Sequence, residues 1–362
     1  MNSASQDFVP LVSVTRGEVE ESVHFGAVAV SDSAANLLAH VGSPDRVAMT
    51  RSSLKPFQAL PMVERGGIEK WGLTEKELAV MCASHNGEPM HLETVQSILR
   101  KIGLDESYLG CGVHDPAHTP TFHEMLKRGE RARPIHNNCS GKHAGMLALA
   151  LLLGADPRTY YKPESPVQRT IKETVAELAG MRADELKTGT DGCNVVNIGL
   201  PMSKAALLFA LLADPSHLPP PRAAALRRIF AAMLTHPEMV AGTGRFCTSF
   251  IRAGRGRWVG KAGAEAMYGV ALKPPSPFSA ERGVGIVCKI ADGDRPRAGQ
   301  VKDGGEMRVQ WLVIGRILED AGLLDDRAKA EMGPLLYTER INWHGANVGA
   351  FETMFHLGAP NG

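Results

Sequence analysis

The sequence predicts an α+β protein in which both chain ends build one antiparallel sheet and the middle of the chain forms a helical lobe beside it. Three observations carry this. Short β-rich runs open the chain (Leu11 to Thr15, Phe25 to Val30, Leu37 to Val41), and similar runs return late (Arg257 to Val259, Ala266 to Leu272, Gly285 to Ile290). Between them lie apolar runs of helical length and period. The sequence shows no internal repeat or low-complexity segment, so the expected organisation is a single compact unit over residues 1–362. Its sheet-forming parts are residues 1–50 and 255–362, and its helical middle is 51–254.

Taken in order, Ser31-Asp32-Ser33 has turn composition and joins two of the early strands into a hairpin. A helix starts close to Ser52, because Pro56 fits a first turn but not a helix interior, and it continues through Phe57 to Val63 and ends near Gly66-Gly67. Thr74 caps the run Glu75 to Cys82, with Glu77 completing a capping box, and this helix delivers Ser84-His85-Asn86 at its end. Leu92 to Ile102 is amphipathic and stops at Gly103, Gly110 to Pro120 is loop, and Phe122 to Lys127 is a short helix. Asn137 to His143 opens a strongly apolar helix that runs to Leu153. Val167 to Leu178 and Ser203 to Leu212 flank a polar turn over 188–194. Leu226 to Leu234 follows the breaker Pro219-Pro220-Pro221, and Met307 to Asp320 is the final helix.

Composition removes several function classes. With 44% apolar and 22% charged residues, the chain is an ordinary globular protein rather than a disordered one. A net charge of +1 leaves no broad electrostatic footprint for nucleic acid or an anionic membrane, and Arg252, Arg255 and Arg257 read as a solvated turn. Six cysteines scattered over 362 residues do not make a disulfide framework, so reduced thiols in a cytoplasmic protein are expected. Met1 to Thr15 has neither a basic leader nor a long apolar run, which argues against a secretory signal. Met146 to Leu153 and Ala205 to Ala213 fall well short of the roughly 20 residues of a membrane span, and both read as buried helices.

Three short patterns occur in a meaningful order: Ser52-x-x-Lys55, Ser84-His85-Asn86 and Lys261-Ala262-Gly263. They correspond to the signature of serine β-lactamases and penicillin-binding proteins. Each alone also reads blandly, as a helix cap, an exposed turn and a strand-end charge. Together they describe acyl transfer without an organic cofactor. Ser52 attacks a carbonyl, and Lys55 takes its proton, kept neutral by desolvation and by repulsion from Lys261. Ser84 relays protons to the leaving group, Lys261 holds Ser84 or a substrate carboxylate, and helix N-terminal amides offer an oxyanion site.

A second constellation joins Cys139-Ser140-Gly141-Lys142-His143 with Asp191-Gly192-Cys193. Two thiolates and a nitrogen make a zinc site with an open position; the bland alternative is a pair of small core cysteines. Generic zinc chemistry favours His143 as the nitrogen ligand, since a lysine must first lose its proton. The segment is not a phosphate loop, because Gly141-Lys142 is followed by His and the upstream glycine position is His136. The remaining histidines form no His-Glu-x-x-His metalloprotease pattern.

The blocks Arg51-Ser52-Ser53-Leu54-Lys55-Pro56-Phe57-Gln58, Cys82-Ala83-Ser84-His85-Asn86-Gly87-Glu88, Asn137 to His143 and Asp191-Gly192-Cys193 together resemble the Rhizobium-etli-type L-asparaginases over nearly the whole chain. The resemblance implies a serine-β-lactamase-like fold and hydrolysis of L-asparagine to L-aspartate and ammonia. It implies two Ser-Lys tandems, Ser52 with Lys55 and Ser84 with Lys261, with Ser52 the nucleophile. It implies zinc held by Cys139, Cys193 and Lys142, against the chemical preference for His143, which is then expected, with Asn86, among the substrate-binding residues. Arg51 and Asp191 are the expected grips for the α-carboxylate and α-amino groups. It also implies a homodimer whose partner is a small-molecule substrate, not nucleic acid or a membrane.

Overall fold

The computed structural model describes residues 7–294, 308–336 and 338–357. Along the chain run β1 (Val9–Arg16), β2 (Val19–Asp32), β3 (Leu37–Val41), β4 (Val47–Met49), α1 (Lys55–Glu64), α2 (Gly67–Trp71), α3 (Glu75–Met81), α4 (Pro89–Lys101), α5 (Thr119–Lys127), α6 (Ser140–Leu152) and α7 (Pro166–Ala179). Then come β5 (Lys187–Thr190), β6 (Val196–Pro201), α8 (Met202–Ala213), α9 (Pro220–Thr235), α10 (Pro237–Val240), α11 (Phe246–Ala253), β7 (Trp258–Gly263), β8 (Met267–Leu272) and β9 (Val284–Ile290). The chain closes with α12 (Val309–Asp320), α13 (Asp326–Met332), β10 (Glu339–Ile341) and β11 (Asn347–Thr353). The expected start of the last long helix, Met307, lies outside the described residues.

The chain divides into two compact units: Met1–Met49 with Leu200–Asp214 and Arg252–Gly362, and Thr50–Gly199 with Pro215–Ile251. The first is an antiparallel sheet in the order β10-β11-β1-β2-β9-β8-β7, with β3 also paired to β2, so both chain ends do build one sheet. β2 is its longest strand, and Gly26 to Asp32 pair in unbroken register with Ile290 to Val284. Helix α8 is apolar nearly all round and lies on β2, β8 and β9. It can approach because Gly285 faces it: a Cβ there would overlap the Ala206 carbonyl of α8.

In the second unit α6 is buried from Ser140 to Ala150 and packs on α1, α3, α4 and α7. The predicted capping box is present, with the Thr74 hydroxyl accepting from the Glu77 amide at 3.2 Å and the Glu77 carboxylate accepting from the Thr74 amide at 2.7 Å. Two local readings change. The first three residues of the expected polar turn over 188–194 are strand, since Lys187–Thr190 pairs antiparallel with Val196–Gly199. Helix α9 begins within the proline run, because Pro220 and Pro221 occupy first-turn positions whose amides need no helical partner. Among the described residues no helix is long and apolar enough to cross a membrane. All six cysteines are buried thiols.

Candidate active site

A short 3-10 turn, Arg51–Leu54, leads into α1. It is held from below: the Thr50 amide and hydroxyl both donate to the Ile198 carbonyl (3.0 and 2.7 Å), and the Ser53 hydroxyl donates to the Thr50 carbonyl at 2.6 Å. Arg51 has φ +50°, a left-handed conformation that a side chain other than glycine adopts only when its surroundings impose it. Here its amide donates to Asn197 Oδ1 at 3.1 Å, and its guanidinium contacts Asp191 Oδ1 at 3.0 to 3.1 Å. The expected grips for the two ends of an amino acid are therefore paired with each other.

Ser52 is partly exposed, whereas Lys55, one turn on, is fully buried. Lys55 Nζ donates to the Ala83 carbonyl at 2.5 Å, to Ser84 Oγ at 3.0 Å and toward the Asn138 carbonyl at 3.4 Å. These bonds go to Ser84 and two carbonyls rather than to Ser52, the hydroxyl that the local spacing points to.

Residues 84–88 leave α3 and are pinned along their length. The Ser84 and Asn86 amides donate to the Val240 and Ala241 carbonyls (3.0 and 2.9 Å), and the His85 amide donates to the Asn138 carbonyl at 3.2 Å. Gly242, at φ +123°, lets the backbone approach Asn86, since a Cβ there would overlap the Asn86 side chain. Asn86 Oδ1 is buried with no hydrogen-bond partner. Burial pushes the Glu88 carboxyl up, but bonds from the Thr243 amide and hydroxyl, both at 2.8 Å, outweigh it and hold the group below the ordinary range. His85 Nε2 meets Ser140 Oγ at 2.8 Å, and its ring stacks on His91 with centroids 5.0 Å apart. Burial, then the nearby His91 and Lys55, push His85 well below the usual imidazole range.

The start of α6 brings the second constellation together. Lys142 Nζ lies 2.8 Å from Cys193 Sγ, and both cysteines are buried. A hydrogen bond from Cys193 holds the Cys139 thiol well below its usual range against the opposing effect of burial, with Lys142 and Lys55 adding to the shift. Cys193, as donor to Cys139 and buried, is raised. Burial pulls Lys142 down, but the two sulfurs more than offset it and keep the amine protonated. His143 turns to Tyr160, Nδ1 to hydroxyl 2.5 Å, and burial drives it well below the usual imidazole range. Lys142 thus contacts a thiol sulfur directly, while His143 interacts with the Cys193 backbone. Among the described residues no group of three or more His, Cys, Asp or Glu is placed to hold a metal ion.

Ten of the eleven residues singled out from sequence lie in the helical unit: Arg51, Ser52, Lys55, Ser84, Asn86, Cys139, Lys142, His143, Asp191 and Cys193. Lys261 lies on β7 of the sheet unit, buried, with Nζ donating to the Ala262 carbonyl at 2.8 Å. Sequence reasoning did not single out Ser140, Asn138 or Tyr160. Their contacts with the site are long in sequence and leave no periodic signal.

A family profile described as L-asparaginase II matches residues 12–353. The chain belongs to the L-asparaginase II family. No curated protein matches the chain. Among solved structures, Mglu in its native form aligns with 83% of this chain and 65% of its own, at 14% identity and a TM-score of 0.42. A probable glutaminase from Bacillus subtilis complexed with 6-diazo-5-oxo-L-norleucine aligns with 82% of this chain and 84% of its own, at 12% identity and a TM-score of 0.38. This L-asparaginase II chain therefore spans 65% of the length of the Mglu chain.

Proposed function

We propose that the protein hydrolyses L-asparagine to L-aspartate and ammonia through an acyl-serine intermediate. The observation that carries this is the hydrogen bond from buried Lys55, one turn of chain after Ser52, to the Ser84 hydroxyl. Ser52 attacks the side-chain amide carbon, and its proton passes into the Lys55–Ser84 pair. That pair then protonates the departing nitrogen, so ammonia leaves and the acyl group stays on Ser52. Water attacks the ester and returns the proton, releasing L-aspartate. The Arg51–Asp191 ion pair suits a zwitterion: the guanidinium faces the α-carboxylate and the Asp191 carboxylate accepts from the α-ammonium. The unpartnered Asn86 Oδ1 offers one further acceptor.

The donor set at the start of α6 fits zinc. Two buried thiols in hydrogen-bond contact, Cys139 already acidified, and an amine on the sulfur of the other, Cys193, supply the S and N ligands this ion prefers. Cys139, Cys193 and Lys142 would hold it, Lys142 giving up its proton on binding. When bound, the ion would brace the pocket rather than generate hydroxide, since a serine already supplies the nucleophile.

The test is ammonia release from L-asparagine and L-glutamine, with and without chelator, by the wild type and two variants. Wild type should release ammonia from L-asparagine, and chelator should raise KM. Ser52→Ala should lose roughly 10³-fold or more in kcat, and Ser84→Ala roughly 10²- to 10⁴-fold. Folded enzyme inert on L-asparagine sinks the reading; an active Ser52→Ala variant sinks the acyl-Ser52 route, and indifference to chelator sinks the role given to zinc.

A further inference from the structure

We infer that His114 is a positioning residue for the Lys55–Ser84 pair and acts through the backbone of Asn138; the inference rests on the functional reading of that pair. The run Asn137 to Ser140 leads into α6, and each of its amides has a partner. Three partners are local: Asn137 donates to the Pro134 carbonyl (3.1 Å), Cys139 to Asn137 Oδ1 (2.9 Å) and Ser140 to the Asn137 carbonyl (2.9 Å). The fourth is not. The Asn138 amide donates to Nε2 of His114, 24 residues away, at 2.8 Å.

The partners of His114 settle its tautomer. Nδ1 lies 2.7 Å from the Asp115 carbonyl, which can only accept, so Nδ1 carries the hydrogen. The Asn138 amide can only donate, so Nε2 is bare. On the other side of the same α-carbon, the Asn138 carbonyl faces Lys55 Nζ at 3.4 Å and accepts from the His85 amide at 3.2 Å. His114 fixes the peptide unit before the Asn138 α-carbon, and the Cys139 amide's bond to Asn137 Oδ1 fixes the unit that carries the Asn138 carbonyl, so the two together hold that carbonyl toward Lys55. It therefore completes the set of three oxygens that aim Lys55 Nζ, one of which is Ser84 Oγ. His114 is half-buried, so its replacement leaves the packed interior intact.

The test compares three replacements by kinetics with L-asparagine and by crystal structure. Glutamine can put an oxygen where Nε2 stands and so keep the acceptor for Asn138. Asparagine can still donate to the Asp115 carbonyl but ends short of Asn138, and alanine removes both contacts. His114→Ala and His114→Asn should lower kcat roughly 10- to 100-fold with KM within about 3-fold, the pattern of a misaimed catalytic group. His114→Gln should stay within about 3-fold of wild type in both constants, since it preserves the one bond in question. Full kcat in the alanine and asparagine variants, or equal loss in all three, overturns the assignment while leaving Ser84 and Lys55 in their roles. The crystal structures give a readout that needs no turnover: in His114→Ala the Asn138 carbonyl should leave Lys55, and in His114→Gln it should stay. An unmoved Asn138 in the alanine variant overturns the inference even if the enzyme proves inert on L-asparagine.

Discussion

The interiors of the two units are built differently. Under α8 the sheet unit packs Ala29, Ala271 and Val287, with Val28, Val30, Val270 and Ile286 on the sheet's other face, all fully buried, and the closest approach of α8 is set by a missing side chain at Gly285. The helical unit buries Lys55, His85, Asn86, His91, Asn137, Ser140, Lys142 and His143. An apolar interior is positioned by shape, because dispersion contacts are short-ranged but carry no direction. A polar interior is positioned by partners, since each buried donor or acceptor left unmatched costs free energy. On the proposed function, most of the site lies in the second kind of interior: shape suffices for a scaffold, whereas aiming a lysine at a hydroxyl takes directed bonds.

The largest expected effect comes from spoiling shape in the sheet unit. Gly285→Ala puts a Cβ against the Ala206 carbonyl of α8, which is backbone and cannot swing aside. We expect a loss of about 3 kcal/mol, the upper end for overpacking. Denaturant unfolding followed at several concentrations checks it, through a lower midpoint at an unchanged slope. A wild-type midpoint would mean that α8 is not seated by close approach.

A smaller effect should come from acid, and it sharpens the same contrast from the other side. Burial lowers both members of the stacked His85–His91 pair below the ordinary imidazole value, so the folded state binds their protons less readily than the unfolded chain does. Their contribution to stability is full above the unfolded value near 6.5 and is lost as pH falls from there toward the folded values. Each imidazole adds a slope approaching about 1.4 kcal/mol per pH unit in that window. Melting temperature measured from pH 7.5 to 5.5 should fall, and His91→Gln should make the fall shallower. A flat profile would show that the buried imidazoles are protonated at little cost. The depressed carboxylates Glu77 and Glu88 do not confuse the reading, because their contribution is lost only near and below pH 4.5.

The contrast also explains what was legible in the sequence. Strands β1, β2, β3, β7, β8 and β9 and most helices were, because one-faced or all-round burial leaves a period, and Thr74 with Glu77 announces a helix start by chemistry that acts over three residues. Strand β5 was not. Its sequence, Lys-Thr-Gly-Thr, is exposed throughout and owes its form to pairing with β6. At the site the residue types were readable but not their pairings. The spacing Ser52-x-x-Lys55 put those two side by side, yet the bonds of Lys55 reach residues 28, 29 and 83 positions away. Partners at such separations are chosen by the packing of α1, α3 and α6, which no local pattern encodes.

The smallest expected effect separates local stability from aim within the helical unit itself. Helix α3 ends just before Ser84, and its first turn is held by the capping box. Thr74→Ala removes the cap acceptor for the Glu77 amide but none of the bonds that pin residues 84–86 to Val240, Ala241 and Asn138. It should therefore lower stability by about 1 kcal/mol and leave kcat with L-asparagine unchanged within experimental error. The denaturant midpoint and the steady-state constants of one preparation check both halves. If kcat fell with stability, Ser84 would be placed by the helix that delivers it. If stability alone fell, placement would belong to the buried hydrogen bonds, and helix α3 would serve only to bring the hydroxyl within their reach.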